Sequence, residues 1–569
     1  MNKTNDMVAF IKQYDITTAD NTKIYDEHAS DMRHNIETTT NNDIINIFKQ
    51  QPKSVIITGN AGDGKTRICR NVYNALTDTV LTTWSEEGID SITYNGYEIR
   101  IIKDLSELTD EVILRELNLL AQYIESKAPI YYLIAANEGK LTSSLQADER
   151  LASIRKIITS QLLVSEQQGQ FPDLQVYNLL HISTAENALK IMEKWNEPEN
   201  WNVCSACSEN QRCIIYHNHK KLSNDDIRKR LYYVYRSLEV SQEHMTIREL
   251  LIHLAYTQLG GLTCEDVQGA DHSALIEQSK LVYYDNFFGE TLSNEVYEDI
   301  IKEDTLRQFN PGKISEKTVD DFILNGDLIE EHAATHEQLF GKAIDTTYGY
   351  FKYELDKYRK MYDTDKDIGA ELVAKWLPKL RRKYYFEMEG ELRKKVPYLI
   401  DFPQRALFFM ILEGSPAVNL NEVKAALISG LNNYYAKQIV SDATNELYIT
   451  TEKLYVSAII PDREIKLDVP FSQNKDYQPT HLYLKVRDEY LTVNLVLFEY
   501  LMRISNGGAF SVLEREVDIR LNNFRNLIMH KQRQVDEVNV LSYDEHANCY
   551  VLKQLNYRKV QNTVMTYDY

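Results

Sequence analysis

Ser54-Val55-Ile56-Ile57-Thr58-Gly59-Asn60-Ala61-Gly62-Asp63-Gly64-Lys65-Thr66 is the stretch that decides the fold. Its opening five residues are a short run rich in β-branched side chains, the composition of a buried strand. The next eight read G-x-x-x-x-G-K-T, and from Thr66 to Leu76 the residues Ile68, Val72, Ala75 and Leu76 fall on one helical face. Strand, glycine-rich loop and helix in this order form a P-loop pattern. Glycines at 59, 62 and 64 let successive backbone N–H groups turn inward toward a phosphate, and the helix start adds its partial positive charge. The predicted ATP cradle is therefore Gly59, Asn60, Ala61, Gly62, Asp63, Gly64, Lys65 and Thr66, with Arg67 behind it. Lys65 is expected to reach the β- and γ-phosphates and Thr66 to supply one Mg²⁺ position.

Hydrolysis also requires a carboxylate near the metal and a group that orients water. Two strand ends compete for these duties. One strand, Glu98 to Lys103, ends at Asp104, followed by Ser106 and Glu107; the other, Pro129 to Ala136, ends in Asn137-Glu138-Gly139. Between them Leu108 to Ile124 reads as a helix with Val112, Leu117, Leu120 and Ile124 as its apolar contacts. Chain order in a parallel βαβ sheet places Asn137-Glu138 where the metal carboxylate commonly stands. The expectation is Asp104 beside Mg²⁺ and Glu138 beside the attacking water, with asparagine at 137 weakening the case for fast turnover. A further strand, Val176 to Thr184, closes the α/β region; His181 or Ser183 could sense phosphate, although a core histidine is the plainer reading.

Six cysteines stand in the chain, and three form C-x₂-C-x₅-C at Cys204, Cys207 and Cys213. A C-x₂-C turn brings two thiolates to one tetrahedral ion, and Zn²⁺ prefers sulfur and imidazole. A structural zinc is expected, with His217 and Cys264 as competing fourth ligands. Nothing suggests a catalytic zinc.

The 569 residues allow about three domains. The balance of 64 basic and 84 acidic side chains, a net charge of −20, repels phosphate backbones at long range and argues against non-specific coating of nucleic acid. No apolar run is long enough to span a membrane, and Met1-Asn2-Lys3-Thr4-Asn5-Asp6 lacks the layout of a signal peptide. With cysteines arranged for a metal rather than a disulfide framework, a cytoplasmic protein is expected.

Beyond the cysteines the periodicity turns helical. Ser223 precedes an Asp225-Asp226 helix start, Thr246 and Glu249 make a capping box, Gly260 stops that helix, and Pro311, Pro378 and Pro397 punctuate a helical region. The stretch 375–395 departs from the acidic background. Lys375, Lys379, Arg381, Arg382 and Lys383 interleave with Trp376, Tyr384, Tyr385 and Phe386, which could grip a phosphate backbone or form a core with a solvated basic face. After about 445, short alternating runs at 447–450, 454–457 and 482–486, a helix at 495–504 and strands near 538–541 and 550–552 suggest an α+β domain. Pro461-Asp462-Arg463-Glu464-Ile465-Lys466 only superficially matches a nuclease acid set. The fold class expected is an α/β P-loop NTPase domain (1–200), a cysteine-cluster insert (201–270), a mostly helical domain (271–440) and a C-terminal α+β domain (441–569).

The loop 59–66, Asp104-Leu105-Ser106, Ala136-Asn137-Glu138-Gly139-Lys140-Leu141, the three cysteines with Cys213-Ile214-Ile215-Tyr216-His217-Asn218, and Gly260-Gly261-Leu262-Thr263-Cys264-Glu265-Asp266 recur in that order. As a linked set they resemble the DptF family, P-loop proteins of bacterial phosphorothioation-dependent DNA restriction. The resemblance covers roughly 50–270, and more loosely the helical region and 495–530. It implies an ATPase subunit of an antiphage defence complex, acting with partner proteins on DNA that lacks a backbone sulfur mark. Lys65 and Thr66 would hold the nucleotide, and Cys204, Cys207 and Cys213 the metal. Family members often carry an aromatic residue at the position of His217, which raises Cys264 as fourth ligand. DNA contact would be indirect or through 375–395; a homo-oligomer and an arginine supplied in trans stay open. A nucleotide-binding scaffold with vestigial turnover and a small-molecule phosphotransferase are the rival readings.

Overall fold

β1 (Ser54–Thr58) has all five residues buried, and its alternating side chains feed two different cores. In the computed structural model, which describes residues 4–15, 38–77, 79–163, 172–241, 244–301, 304–348, 351–364, 366–400, 402–451, 454–470, 476–509, 515–530 and 538–555, β1 lies between β4 (Ile130–Ala136) and β5 (Leu174–Asn178) and is parallel to both. β3 (Tyr97–Ile102) continues the parallel set beyond β4, and β2 (Ile89–Tyr94) closes the edge antiparallel to β3, giving the order β2-β3-β4-β1-β5. The β2–β3 hairpin, absent from the reading of the sequence, turns on Asn95-Gly96, both at positive φ (46° and 87°), as an Asn-Gly turn requires.

The period of two decides the layers. Ile56, Ile102, Ile134 and Ala136 face a cluster with Leu117 and Leu120 of one helix and Ile154 and Ile158 of another. Val55, Ile57, Ile101 and Leu133 face the opposite cluster with Ile44, Phe48, Ile68 and Val72. Each fully buried Val or Ile contributes about 1.5–3 kcal/mol, so a sheet apolar on both faces must be covered on both. Helices α1 (Thr39–Gln50) and α2 (Lys65–Thr77) cover one face; α3 (Asp110–Ser126) and α5 (Ala152–Leu163) cover the other, with α4 (Glu138–Gln146) following β4. In α3 the buried apolar positions are Ile113, Leu117, Leu120 and Ala121, and the buried Glu116 is held by the Tyr132 hydroxyl at 2.9 Å and Arg100 at 3.1 Å.

β5 is shorter than the sequence suggests. The Asn178 side chain accepts from the Leu180 N–H at 3.1 Å, and the chain turns into a 3₁₀ helix over Leu179–His181; local side-chain bonding replaces the ladder. His181 consequently sits exposed beyond the strand, while the buried Ser183 caps α6 (Thr184–Trp195) through the Glu186 N–H. Further along are α7 (Ile214–Leu222), α8 (Asp225–Val240) and α9 (Ile247–Leu259). Asn224, not Ser223, bonds the first amides of α8. The Thr246–Glu249 capping box starts α9 and Gly260, at φ 59°, ends it. Pro378 does not break the chain as expected: it lies inside α10 (Lys366–Glu387), where buried Leu377, Leu380, Tyr384 and Phe386 hold the helix to its neighbours and offset the lost backbone bond.

The chain divides into two compact units. One comprises Met1–Glu239, Glu243–Asp401 and Ser472–Gln478; the other comprises Val240–Gln242, Phe402–Phe471 and Pro479–Tyr569. The segments 1–200, 201–270 apart from 240–242, and most of 271–440 thus share one unit. A late segment of the chain completes it. Asp476, fully buried, accepts the Thr40 N–H at the start of α1 (2.6 Å) and pairs with Lys190 (2.8 Å), while its carbonyl accepts the Ser183 N–H at 2.7 Å. Burial works against its charge, but Lys190 and the Thr40 amide outweigh burial and hold its carboxyl below the usual range.

The second unit carries two antiparallel sheets. β6 (Leu447–Thr450), β7 (Tyr455–Ile460), β11 (Val538–Asp544) and β12 (Cys549–Leu555) form one in the order β12-β11-β7-β6; β8 (Ile465–Asp468), β9 (Leu482–Val486) and β10 (Glu489–Val493) form the other. Helices Leu420–Ala436 and Leu495–Ser505 pack so closely that a Cβ on Gly430 would lie 2.5 Å from the Leu501 carbonyl oxygen. The acids of 461–466 are used structurally: Asp462 pairs with Lys424 and Glu464 with Arg487. Among the described residues, no helix is long and apolar enough to cross a membrane.

One buried imidazole gives a pH test. On α9, fully buried His253 lies 2.8 Å from both the Tyr235 hydroxyl and the Phe287 carbonyl, which fits a neutral ring accepting from Tyr235 and donating to Phe287. Burial pushes its pKa down to about 4, against the Phe287 bond. A histidine depressed on folding contributes stability that is complete above its unfolded value near 6.5 and is lost as pH falls toward 4. Urea unfolding is expected to show a loss on the order of 3 kcal/mol from this ring between pH 6.5 and 4, and His253→Gln, which keeps one donor and one acceptor, should flatten that slope.

Candidate functional site

The parallel register sets the site. Thr58 is level with Ala136 on one side and Asn178 on the other, and Ile102 is level with Ile134. The loops leaving β1, β3, β4 and β5 therefore emerge on one edge, where open α/β sheets bind ligands. That edge collects the glycine loop 59–66, Asp104, Glu138, Asn178 and His181.

The loop is shaped by its glycines. Gly62 and Gly64 hold φ of 100° and 83°, and a Cβ on Gly62 would meet Arg248 Cβ and Thr246 Oγ1 at 3.2 Å. Buried Lys65 opens α2 and folds its ammonium back, donating to the Gly59 and Asn60 carbonyls at 2.9 and 2.7 Å. Burial lowers its pKa, opposed by the charges of Asp63 and Asp104. Thr66 is half-buried in the first turn of α2. Arg67 lies beside Arg70 and Tyr14, and burial lowers its pKa.

Asp104 and Glu138 reach the same edge by different routes. Asp104 caps a 3₁₀ turn, accepting from the Ser106 amide (2.8 Å) and hydroxyl (2.6 Å). Glu107 pairs with Lys103. Asn137 is the N-cap of α4, its oxygen taking the Gly139 N–H at 3.0 Å, the ordinary use of asparagine at this position. Glu138 follows, half-buried, with Asn178 Nδ2 3.5 Å from Oε2. Desolvation lowers the pKa of His181; Glu138 pulls it up and His244 pushes it further down, so these three groups are electrostatic neighbours.

The sequence does not show that His244, Thr246 and Arg248 meet the glycine loop. The Arg248 N–H donates to the Gly62 carbonyl at 3.2 Å, and His244 Nε2 lies 2.9 Å from Asp63 Oδ1. Their capping box announces a helix start, but no spacing rule places that start against a loop about 180 residues earlier.

The cysteines make a second cluster. Cys204, Cys207, Cys213 and Cys264 act on one another electrostatically, and burial is the leading cause that raises the pKa of Cys204, Cys264 and Cys213, the last to about 12. Three sulfurs receive N–H donors: Cys264 from the Asn5 backbone (3.5 Å), Cys204 from the Asn5 side chain (3.2 Å) and Cys213 from Tyr216 (3.4 Å). Such donors favour thiolate over thiol. Among the described residues, no three His, Cys, Asp or Glu side chains are drawn together to chelating geometry as they stand. His217 is elsewhere: its Nε2 is 3.7 Å from Asp345 in a buried group with Lys383 and Glu387. His219 stacks on Trp201 at 4.2 Å and bonds Asn196.

The basic stretch is spent internally. Lys379 and Arg382 pair with Asp285, Arg381 with Asp320, Lys383 with Asp345 and Glu387, Arg393 with Asp226, Lys394 with Glu391 and Lys395 with Glu316. Tyr384, Tyr385 and Phe386 are core residues. Of the five basic side chains within 375–383, only exposed Lys375 has no carboxylate partner among the described residues.

Compared with protein-family models, curated proteins and solved structures, the chain matches none.

Proposed function

We propose that the chain binds ATP in a P-loop at 59–66 and hydrolyses it, as a subunit of a bacterial DNA restriction and antiphage defence complex of the DptF type. The observation that carries the ATP reading is the convergence of Lys65, Asp104 and Glu138 on the carboxyl edge of a parallel sheet, around a loop whose glycines hold positive φ. Support for the defence assignment comes from the sequence resemblance. Loop amides and Lys65 would bind the β- and γ-phosphates, and Glu138 would orient water in line. Thr66 and Asp104 would hold Mg²⁺, which when bound would neutralise phosphate charge. Zinc would be held by Cys204, Cys207, Cys213 and Cys264; His217 faces the buried Asp345, and the Asn5 donors suit thiolates. Because the basic stretch is engaged by carboxylates of the same chain, DNA contact is assigned to partner subunits.

A second reading, a nucleotide-bound scaffold with vestigial turnover, is favoured by Asn137, whose side chain is committed to capping α4. Measuring ATP affinity, turnover with and without duplex DNA, and zinc content separates the two. Under the first reading Glu138→Gln lowers turnover by about 10²–10³-fold with affinity retained. Under the second it changes little. A protein that takes up no ATP at millimolar concentration would sink both.

A further inference from the structure

The glycine loop carries a buried carboxylate two residues before Lys65. Asp63 is buried; its Oδ2 accepts the Asn60 N–H at 2.5 Å, and a Cβ on Gly59 would sit 2.8 Å from the same oxygen. The Lys65 ammonium bonds the carbonyl of that same Asn60 at 2.7 Å. Carboxylate and ammonium thus flank one residue from its two polar ends, two positions apart in sequence. Asp63 already acts on Lys65 electrostatically, and a carboxylate released from His244 would be drawn toward the ammonium. An Asp63–Lys65 ion pair would neutralise the cation on which phosphate binding depends and set a negative charge against the incoming phosphates.

The other oxygen of Asp63 is what His244 holds. Nε2 lies 2.9 Å from Oδ1, with the Asp63 side chain 2% and His244 20% exposed. Two residues on, Thr246 forms the capping box of α9, and the Arg248 amide is bonded to Gly62, so the start of the helix that follows His244 is tied to the loop. We propose that His244 is a positioning residue of the nucleotide loop, holding Asp63 by its second oxygen so that the carboxylate stays off Lys65 and the ammonium is left for the triphosphate. This rests on the reading of 59–66 as a triphosphate site.

Calorimetric titration with Mg·ATP and steady-state turnover test it, using the full chain as wild type, His244→Ala, His244→Gln and the double variant His244→Ala/Asp63→Asn. His244→Ala is expected to weaken ATP binding and raise KM by about tenfold, with kcat at saturating ATP within about twofold because no group touching the phosphates is lost. His244→Gln keeps a side-chain N–H for Asp63 and should stay within about threefold of wild type. The double variant should recover most of the affinity, since a neutral amide cannot neutralise Lys65. Unchanged affinity in His244→Ala overturns the proposal. So does a loss that the double variant fails to recover, which would report general damage to the loop. Wild-type protein that binds no ATP would instead refute the reading of the loop, before any variant is compared.

Discussion

Lys65→Ala is expected to weaken Mg·ATP binding by about 100-fold. The ammonium is buried, and its hydrogen bonds run to two loop carbonyls rather than to a carboxylate. Burial is the leading influence on its pKa and lowers it, so the folded protein holds a cation that its own surroundings do not fully compensate. A triphosphate would supply the missing anion. Removing the ammonium should therefore cost binding far more than folding, and the melting temperature of the variant should stay close to wild type. Lys65→Arg is expected to fail as well, because a planar guanidinium cannot occupy the point between the Gly59 and Asn60 carbonyls. Calorimetric titration checks both; affinity within threefold of wild type would remove Lys65 from the site.

Lys383→Met is expected to destabilise the protein by about 3–5 kcal/mol. Lys383 is fully buried in α10, 2.9 Å from Asp345 and 3.1 Å from Glu387, which are themselves buried. Burial disfavours its charge, but the two carboxylates outweigh that penalty and raise its pKa. The Tyr283 and Tyr284 hydroxyls donate to Glu387 and Asp345, and Lys221 reaches Glu387 at 2.6 Å. Methionine fills the space of the lysine stem but leaves Asp345 with a charge that His217, at 3.7 Å, is too far away to hydrogen-bond. Adding Asp345→Leu should recover part of the loss, since a buried ion pair replaced on both sides is often tolerated. Denaturant unfolding measures both variants. A single variant as stable as wild type would mean that the cluster contributes nothing net.

The sheet was legible because its signals are local. β1 is five buried residues with a glycine loop behind them, and β4 is an apolar run long enough to be unambiguous. Boundaries failed where side chains override periodicity: Asn178 bends the backbone after β5, Asn224 takes the cap assigned to Ser223, and packing carries α10 through Pro378. The Asn95-Gly96 turn is a local hairpin signal of the same kind. Around the loop, Lys65, Asp104 and Glu138 were accessible because each closes or follows a strand. His244 was not, since only the folded chain brings it to Asp63. The basic stretch shows the converse limit: composition registers the charges of 375–395, while their carboxylate partners are scattered from 226 to 391.

Asp476 has a consequence for the order in which the chain can mature. The amide at the start of α1 and the ammonium of Lys190 wait for a carboxylate that leaves the ribosome more than four hundred residues after Thr40. During synthesis the first unit therefore stands incomplete until residue 476 has been made. A product truncated at residue 401 would retain the whole parallel sheet yet lack this closing clasp, and the N-terminal portion should not be treated as an autonomous fragment for expression.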